Sequence, residues 1–282
     1  NPVLTPRHFG RNYPIHSVGH ADLVQTQTGE WWSVMLGKRY VDGYTLLARE
    51  TFLAEIRFEE RTPVFNPGEG KVLLEQKRPA LPWHPFAPKA NRDDFDGENL
   101  DLRWNFLRTP REKWHHLEKG HLWLKLRPHT LNELSNPSLI AQRIRHHNFI
   151  ATMSLDFSAL TDNELTGMAL YRRSTNHYVF SKHKDYLKIT RSLGGKTTEV
   201  ARVPFNKDKV ILQAQANGTD LQFYYGDSIN SLQPIGSTQT LSVISFEASE
   251  GFNGPFVGIY ASSNGTPSNN NARINWFDYQ GK

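Results

Sequence analysis

From Phe149 to Phe157, and again from Val210 to Ala216, an apolar residue occupies every second position. Phe149, Ala151, Met153, Leu155 and Phe157 alternate with Ile150, Thr152, Ser154 and Asp156. Val210, Leu212, Ala214 and Ala216 alternate with Ile211, Gln213 and Gln215. A period of two separates the faces of a pleated strand and fits poorly with the period of about 3.6 that a helix needs. The second run meets Asn217-Gly218 and then Leu221, Phe223 and Tyr225. That is a tight hairpin signal, because Asn and Gly accept the positive φ its turn demands. Gly194-Gly195 marks another turn, and Leu122, Leu124 and Leu126 alternate with Trp123 and Lys125. Amphipathic helical stripes are missing, and Thr130 to Ser138 supports at most one turn before Pro137. The chain reads as all-β.

The stretch "RPALPWHPFAPKANRDDFDG", Arg78 to Gly97, interrupts this pattern with four prolines. Proline has no N–H to give a sheet ladder and cannot continue a helix, so an extended connector is expected. Three parts follow: residues 1–78, a Pro-rich linker at 79–92, and a sandwich of many short strands at 93–282. The first part should hold roughly five or six strands at ordinary strand length. It is too small to make a comfortable β domain alone and reads as a piece of something larger.

Composition narrows the function classes. There is no cysteine among the 282 residues, which excludes disulfides, thiolate metal sites and cysteine nucleophiles. It leaves the compartment open, with the cytoplasm slightly favoured over secretion. The net charge of +5 and pI near 9.3 would permit nucleic-acid binding, but the basic residues alternate with acidic ones. The densest basic cluster, "RIRHH" (Arg143 to His147), reads as the solvated face of a strand. No nucleic-acid partner is expected. Nor is a membrane one, since no apolar run approaches the ~20 residues a spanning helix needs. Aromatic residues make up 12% of the chain, a load that suits either a β core or a sugar-binding surface.

Near the start, "SVGHADLVQTQTGEWW" (Ser17 to Trp32) places a short strand from Asp22, a turn at Thr28-Gly29-Glu30, and a second strand from Trp31 to Leu36. On the residues alone, His20 is most simply a structural histidine at the end of a hairpin.

Taken in order, several segments carry a resemblance. "NPVLTPRHFGRNYPIHSVGHADLVQTQTGEWW", "LLARETFLAEIRF" and "NPGEGKV" resemble the last part of the catalytic domain of glycoside hydrolase family 43, in its β-xylosidase and α-L-arabinofuranosidase branch. "DDFDGENLDLRWNFLRTP", "LWLKLRPHTLNELSNPSLIAQRIRHHNF" and "GPFVGIYASSNG" resemble the β-sandwich that follows it. The resemblance implies the last part of a five-bladed β-propeller, about one blade and a portion of its neighbour, followed by a jelly-roll-like, concanavalin-like sandwich. It implies release of β-D-xylosyl, and also α-L-arabinofuranosyl, units from the non-reducing ends of xylo-oligosaccharides, with inversion. The family's catalytic Asp and Glu residues belong to earlier blades, and their motifs do not occur here. Asp22, Glu30, Glu50 and the acids of Asp93 to Asp96 fit those positions poorly, so no catalytic residue is assigned to this chain.

Three residues carry over. His20, from "GHAD", is implied at the propeller axis as a metal-site residue, beside water or a hydrated Ca²⁺. Arg49, from "ARET", is implied at the sugar pocket, where a planar guanidinium can hold hydroxyls; its alternative is an ion pair with Glu50 or Glu55. Phe252, from "EGFNGPF", is implied as an aromatic lid over that pocket; its alternative is a plug in the sandwich core. Oxygens near Asp94, Asp96 or Asp278 are a weaker place for a structural Ca²⁺. The chain starts at Asn1-Pro2, so an upstream segment, or a separate chain of the same enzyme, is the expected partner that carries the catalytic acids. It should meet residues 1–90 through a largely apolar interface of more than ~2,000 Å², in an assembly of higher oligomeric order. The rival reading is a non-catalytic carbohydrate-binding sandwich. It leaves "GHADLV" and "ARET" unexplained.

Overall fold

The structure, a computed structural model, describes residues 3–10 and 12–282. Asn1, Pro2 and Arg11, at or near the start of the first resembling segment, lie outside the described residues. Four antiparallel strands form a meander at the start: β1 (Ile15–Gln25), β2 (Trp31–Arg39), β3 (Glu50–Glu59) and β4 (Thr62–Phe65). This is one four-stranded sheet. The sequence suggests five or six strands because β1 is long and irregular and reads as more than one element. Its register slips twice, between His16 and Gly19 and between Gly19 and Asp22. Each slip holds a non-glycine residue with positive φ, Ser17 at 51° and His20 at 52°. Such bulges bend a strand and re-aim its side chains. One face of the sheet packs Ile15, Met35, Ala54, Ile56, Phe65 and Val72 into a small core.

No strand occurs between Phe65 and Arg92. The proline-rich segment runs extended, with Trp83 71% and Phe86 100% exposed. At its far end Asp93 is a structural anchor: its carboxylate accepts hydrogen bonds from Phe95 N (2.9 Å) and Trp104 Nε1 (2.7 Å).

The remainder is a two-sheet sandwich. An eight-stranded sheet centres on Phe149–Asp156, which lies between Lys209–Asn217 and Asn271–Gly281. A seven-stranded sheet centres on Leu165–Arg173, between Asn176–Lys182 and Phe256–Ser262. The alternating residues behave as their period requires: Phe149, Ala151, Met153 and Leu155 are fully buried, as are Val210, Leu212 and Ala214. Both double-glycine and Asn-Gly turns form the expected hairpins, with Gly194, Gly195 and Gly218 all at positive φ. In the seven-stranded sheet Gly258 has no room for a side chain. A Cβ there would lie 2.2 Å from the Ile140 carbonyl oxygen. The "RIRHH" cluster departs from expectation: the strand ends at Arg143, Ile144 is buried, and the rest forms the following loop.

Candidate functional site

The connection between β2 and β3 brings Arg49 to the junction of the sheet and the sandwich. A turn at Val41–Tyr44 is closed by two reciprocal backbone hydrogen bonds of 2.9 Å. After it Thr45, Leu46, Leu47 and Ala48 are all buried, and Leu46 and Leu47 belong to the main apolar core of the sandwich. Ala48 has φ 59°. A left-handed residue with a Cβ costs roughly 1–2 kcal/mol, and here the leucines packed before it hold the conformation. The chain therefore turns outward at Arg49, which is exposed.

The sandwich clamps this connection. A one-turn helix, Phe246–Ser249, is capped by Ser245, whose Oγ accepts from Ala248 N at 3.2 Å. Its Glu247 carboxylate accepts from Thr45 N (2.7 Å) and Thr45 Oγ1 (2.5 Å), while Phe246 N donates to Thr45 O (3.2 Å). Burial pushes the Glu247 carboxyl up, but the Thr45 hydrogen bonds outweigh this and hold it below its usual range. Lys38 Nζ sits 3.1 Å from the centroid of the Phe246 ring. Burial lowers the Lys38 pKa; Glu247 opposes that shift, and Arg49 and Arg172 add to it. Lys38, Arg49, Arg172 and Glu247 thus form one charge cluster, net positive, at the junction.

The loop after this helix carries Phe252. Arg172, only 1% exposed, donates from Nη2 to Glu250 O (2.9 Å) and Gly251 O (3.4 Å). Burial brings its pKa down to about 10, with Arg173 acting the same way and Glu247 against, so it stays charged at neutral pH. Asn253 Nδ2 returns a hydrogen bond to Arg172 O at 3.1 Å. With both flanks tied down, the Phe252 ring projects outward, 73% exposed. It does not plug the core. The Arg49 guanidinium carbon lies 3.9 Å from its centroid.

Arg49 is not held by Glu50. That carboxylate takes a forked contact from Arg39, with Nε at 3.0 and 3.1 Å and Nη2 at 2.5 Å. Arg49 and Phe252, read separately from distant segments, are therefore one unit: an exposed guanidinium backed by an aromatic face. Such a pair can bind hydroxyl groups and cover a ring. It can neither donate nor accept a proton in the manner of an acid–base pair.

His20 stands apart from that pair, on the edge strand β1, exposed, at the second bulge. Among the described residues no three His, Asp or Glu side chains gather where they could hold a metal ion. A lone imidazole fits an outer contact through water better than direct ligation of Ca²⁺, which takes six to eight oxygens. Asp94 is engaged by Arg92 at 2.5 Å, and Asp278 accepts from Gln280 Nε2 at 2.5 Å. The residues that sequence reasoning missed are Lys38, Thr45, Arg172, Phe246, Glu247 and Asn253. A serine two residues ahead of an acid, as in Ser245 and Glu247, was the only local sign of the capped turn.

Comparison with known proteins bears on the whole chain. Residues 1–63 match the model described as glycosyl hydrolases family 43, and residues 92–280 match the beta xylosidase C-terminal concanavalin A-like domain. The chain belongs to glycoside hydrolase family 43. A xylosidase/arabinosidase of Butyrivibrio fibrisolvens is 35% identical over 98% of this chain and 55% of its own length. A non-reducing end alpha-L-arabinofuranosidase of Bacteroides ovatus is 32% identical over 99% of this chain and 54% of its own length. Among solved structures, the family 43 protein BlXynB of Bacillus licheniformis superposes with a TM-score of 0.92 at 29% identity, covering 100% of this chain and 56% of that one. This family 43 chain spans about half the length of the curated relatives it matches. The all-β architecture and the concanavalin-like sandwich read from the sequence hold.

Proposed function

We propose that this chain is the C-terminal part of an inverting exo-glycosidase. The whole enzyme releases β-D-xylosyl units, and α-L-arabinofuranosyl units as well, from the non-reducing ends of xylo-oligosaccharides. The observation that carries this reading is the contact of Arg49 with Phe252, since it joins the first sheet and the sandwich in one ligand-facing element. Arg49 holds sugar hydroxyls with its planar donors. Phe252 covers the apolar face of the sugar ring and limits water.

Inversion needs two carboxyl groups about 6.5–9.5 Å apart, one to protonate the leaving oxygen and one to activate water. The candidates here have other work: Glu50 binds Arg39, Glu247 binds Thr45, and Glu30 accepts from Ala80 N at 2.9 Å. An upstream segment, or a separate chain, supplies the acid and base. The free edge of β1 offers it a surface, with Leu23 40% and Val24 52% exposed. His20 lies on that strand and would face the propeller axis, where it contacts the water around a cation such as Ca²⁺. The relatives' printed activities, xylosidase and arabinofuranosidase, support the substrate class.

The test is hydrolysis of aryl β-xylosides and α-L-arabinofuranosides. This chain alone should have none, and co-expression with the upstream segment should give activity and a single gel-filtration peak. Hydrolysis by the purified chain alone overturns the proposal. A sandwich that merely binds carbohydrate accounts for neither the Thr45–Glu247 clamp nor the placement of Arg49 beneath Phe252.

A further inference from the structure

A cavity of about 440 Å³ opens on the outer face of the seven-stranded sheet, bordered by Asn253 of the loop that carries Phe252. Leu139, Tyr171 and Phe256 give it an apolar wall, and Arg108, Arg173 and Asn253 stand around it. Tyr171 and Phe256 are cross-strand partners, so the two rings share one level of the sheet. No carboxylate lines the cavity. Three arginines line it, Arg108, Arg172 and Arg173, and while burial raises the Tyr171 phenol, the charges of Arg108 and Arg173 both act against that rise. Each is held in place. Arg108 Nη1 donates to Ser135 O at 2.6 Å, and Arg173 packs so closely on Gly251 that a Cβ there would lie 2.8 Å from its Nη2.

The geometry points to a second binding site, for a pyranose that carries a carboxylate. The volume falls within the range of about 300–1,000 Å³ typical of small-ligand pockets. The apolar face of a sugar ring fits the Tyr171 and Phe256 wall. A carboxylate matches the fork of a guanidinium in a way a hydroxyl does not. A neutral sugar would leave the lining arginines without a counter-charge in the cavity, and a bare anion would leave the apolar wall uncovered. Asn253 belongs to the lid loop and Arg173 packs against it at Gly251, so occupancy of the cavity is felt next to Phe252.

The choice of a sugar rests on the glycosidase reading. The experiment titrates the protein with D-glucuronate, with D-glucose as the neutral analogue and inorganic phosphate as the bare anion. The Asn253 side-chain amide and the Tyr171 ring resonances report binding. Glucuronate should give saturable shifts, with affinity at least tenfold above glucose and above phosphate. Arg108→Gln, which leaves the lid contacts untouched, should weaken glucuronate at least tenfold. Equal affinity for glucose or phosphate, an unaltered Arg108→Gln protein, or no saturable shift overturns the site. The ranking of the three ligands on the unaltered protein decides the matter if Arg108→Gln disturbs folding. Hydrolysis by the assembled enzyme without glucuronate binding overturns this site alone. Glucuronate binding without any hydrolysis by the assembly overturns the glycosidase reading instead.

Discussion

Arg49 and Phe252 meet face to ring, 3.9 Å apart, although one leaves the first sheet and the other leaves the sandwich. A cation over an exposed ring contributes about 0.5–1 kcal/mol. The larger consequence is geometric, because each side chain fixes the direction of the other at the mouth of the proposed sugar site.

Arg49→Ala should lower kcat/KM of the assembled enzyme by the loss of charged hydrogen bonds, on the order of 1.5–3 kcal/mol, or roughly ten- to more than a hundredfold. Arg49→Lys should rescue little, since an ammonium lacks the planar fork. Steady-state kinetics on an aryl β-xyloside check this; near-normal activity of the alanine variant would return Arg49 to a surface role.

Phe252→Ala should raise KM and lower kcat together if, as proposed, the ring covers substrate as well as contacting Arg49. In a double-mutant cycle on kcat/KM the two positions should couple by more than the ~0.5 kcal/mol that distant sites show. Strict additivity would mean that their contact has no part in catalysis.

The Thr45–Glu247 clamp should carry stability. Glu247→Gln replaces a charged acceptor by a neutral one and should lower the free energy of unfolding by about 1–3 kcal/mol. Thr45→Ser, which keeps the hydroxyl, should cost far less. Urea melts of the two variants compare them directly.

Acid should loosen the sandwich before it loosens the first sheet. Burial pushes His177 down to about 4 and His183 down to about 3, with Lys188, Arg202 and Lys182 adding to the second shift. Below the ordinary value near 6.5 the unfolded chain takes up protons that the folded chain refuses. The contribution of these neutral histidines is whole above that pH. It declines as pH falls toward 4 and then 3. Proton resonances of both rings should stay in the neutral form down to about pH 5; normal titration of either near 6.5 would contradict the structure.

Much of this architecture was readable from residues alone. Alternation at Phe149–Phe157 and the Asn217-Gly218 turn fix strands by local chemistry, and local chemistry is what a sequence displays. The first sheet was harder. The bulges at Ser17 and His20 break the period of β1, so its length could not be counted from the pattern. Arg49 and Phe252 were legible through family resemblance, yet not as a pair. Their contact depends on Leu46 and Leu47 entering a core built from residues far along the chain. Arg172 and Glu247 were invisible for the same reason: a buried charge in a strand and an acid in a capped turn look ordinary until the fold supplies their partners.

Leu46 and Leu47 also separate two boundaries that are easily confused. The covalent boundary of the sandwich falls in the proline segment, but its packing boundary falls earlier in the chain, at Leu46 and Leu47 in the β2–β3 connection. A sandwich excised at Asn91 would lose two buried leucines and expose an apolar socket to water. Grafted onto another protein, it would need a host loop that refills that socket. In this chain the portable unit is therefore the sandwich together with the β2–β3 connection, and swaps cut at the linker alone should yield proteins that associate through the vacated socket.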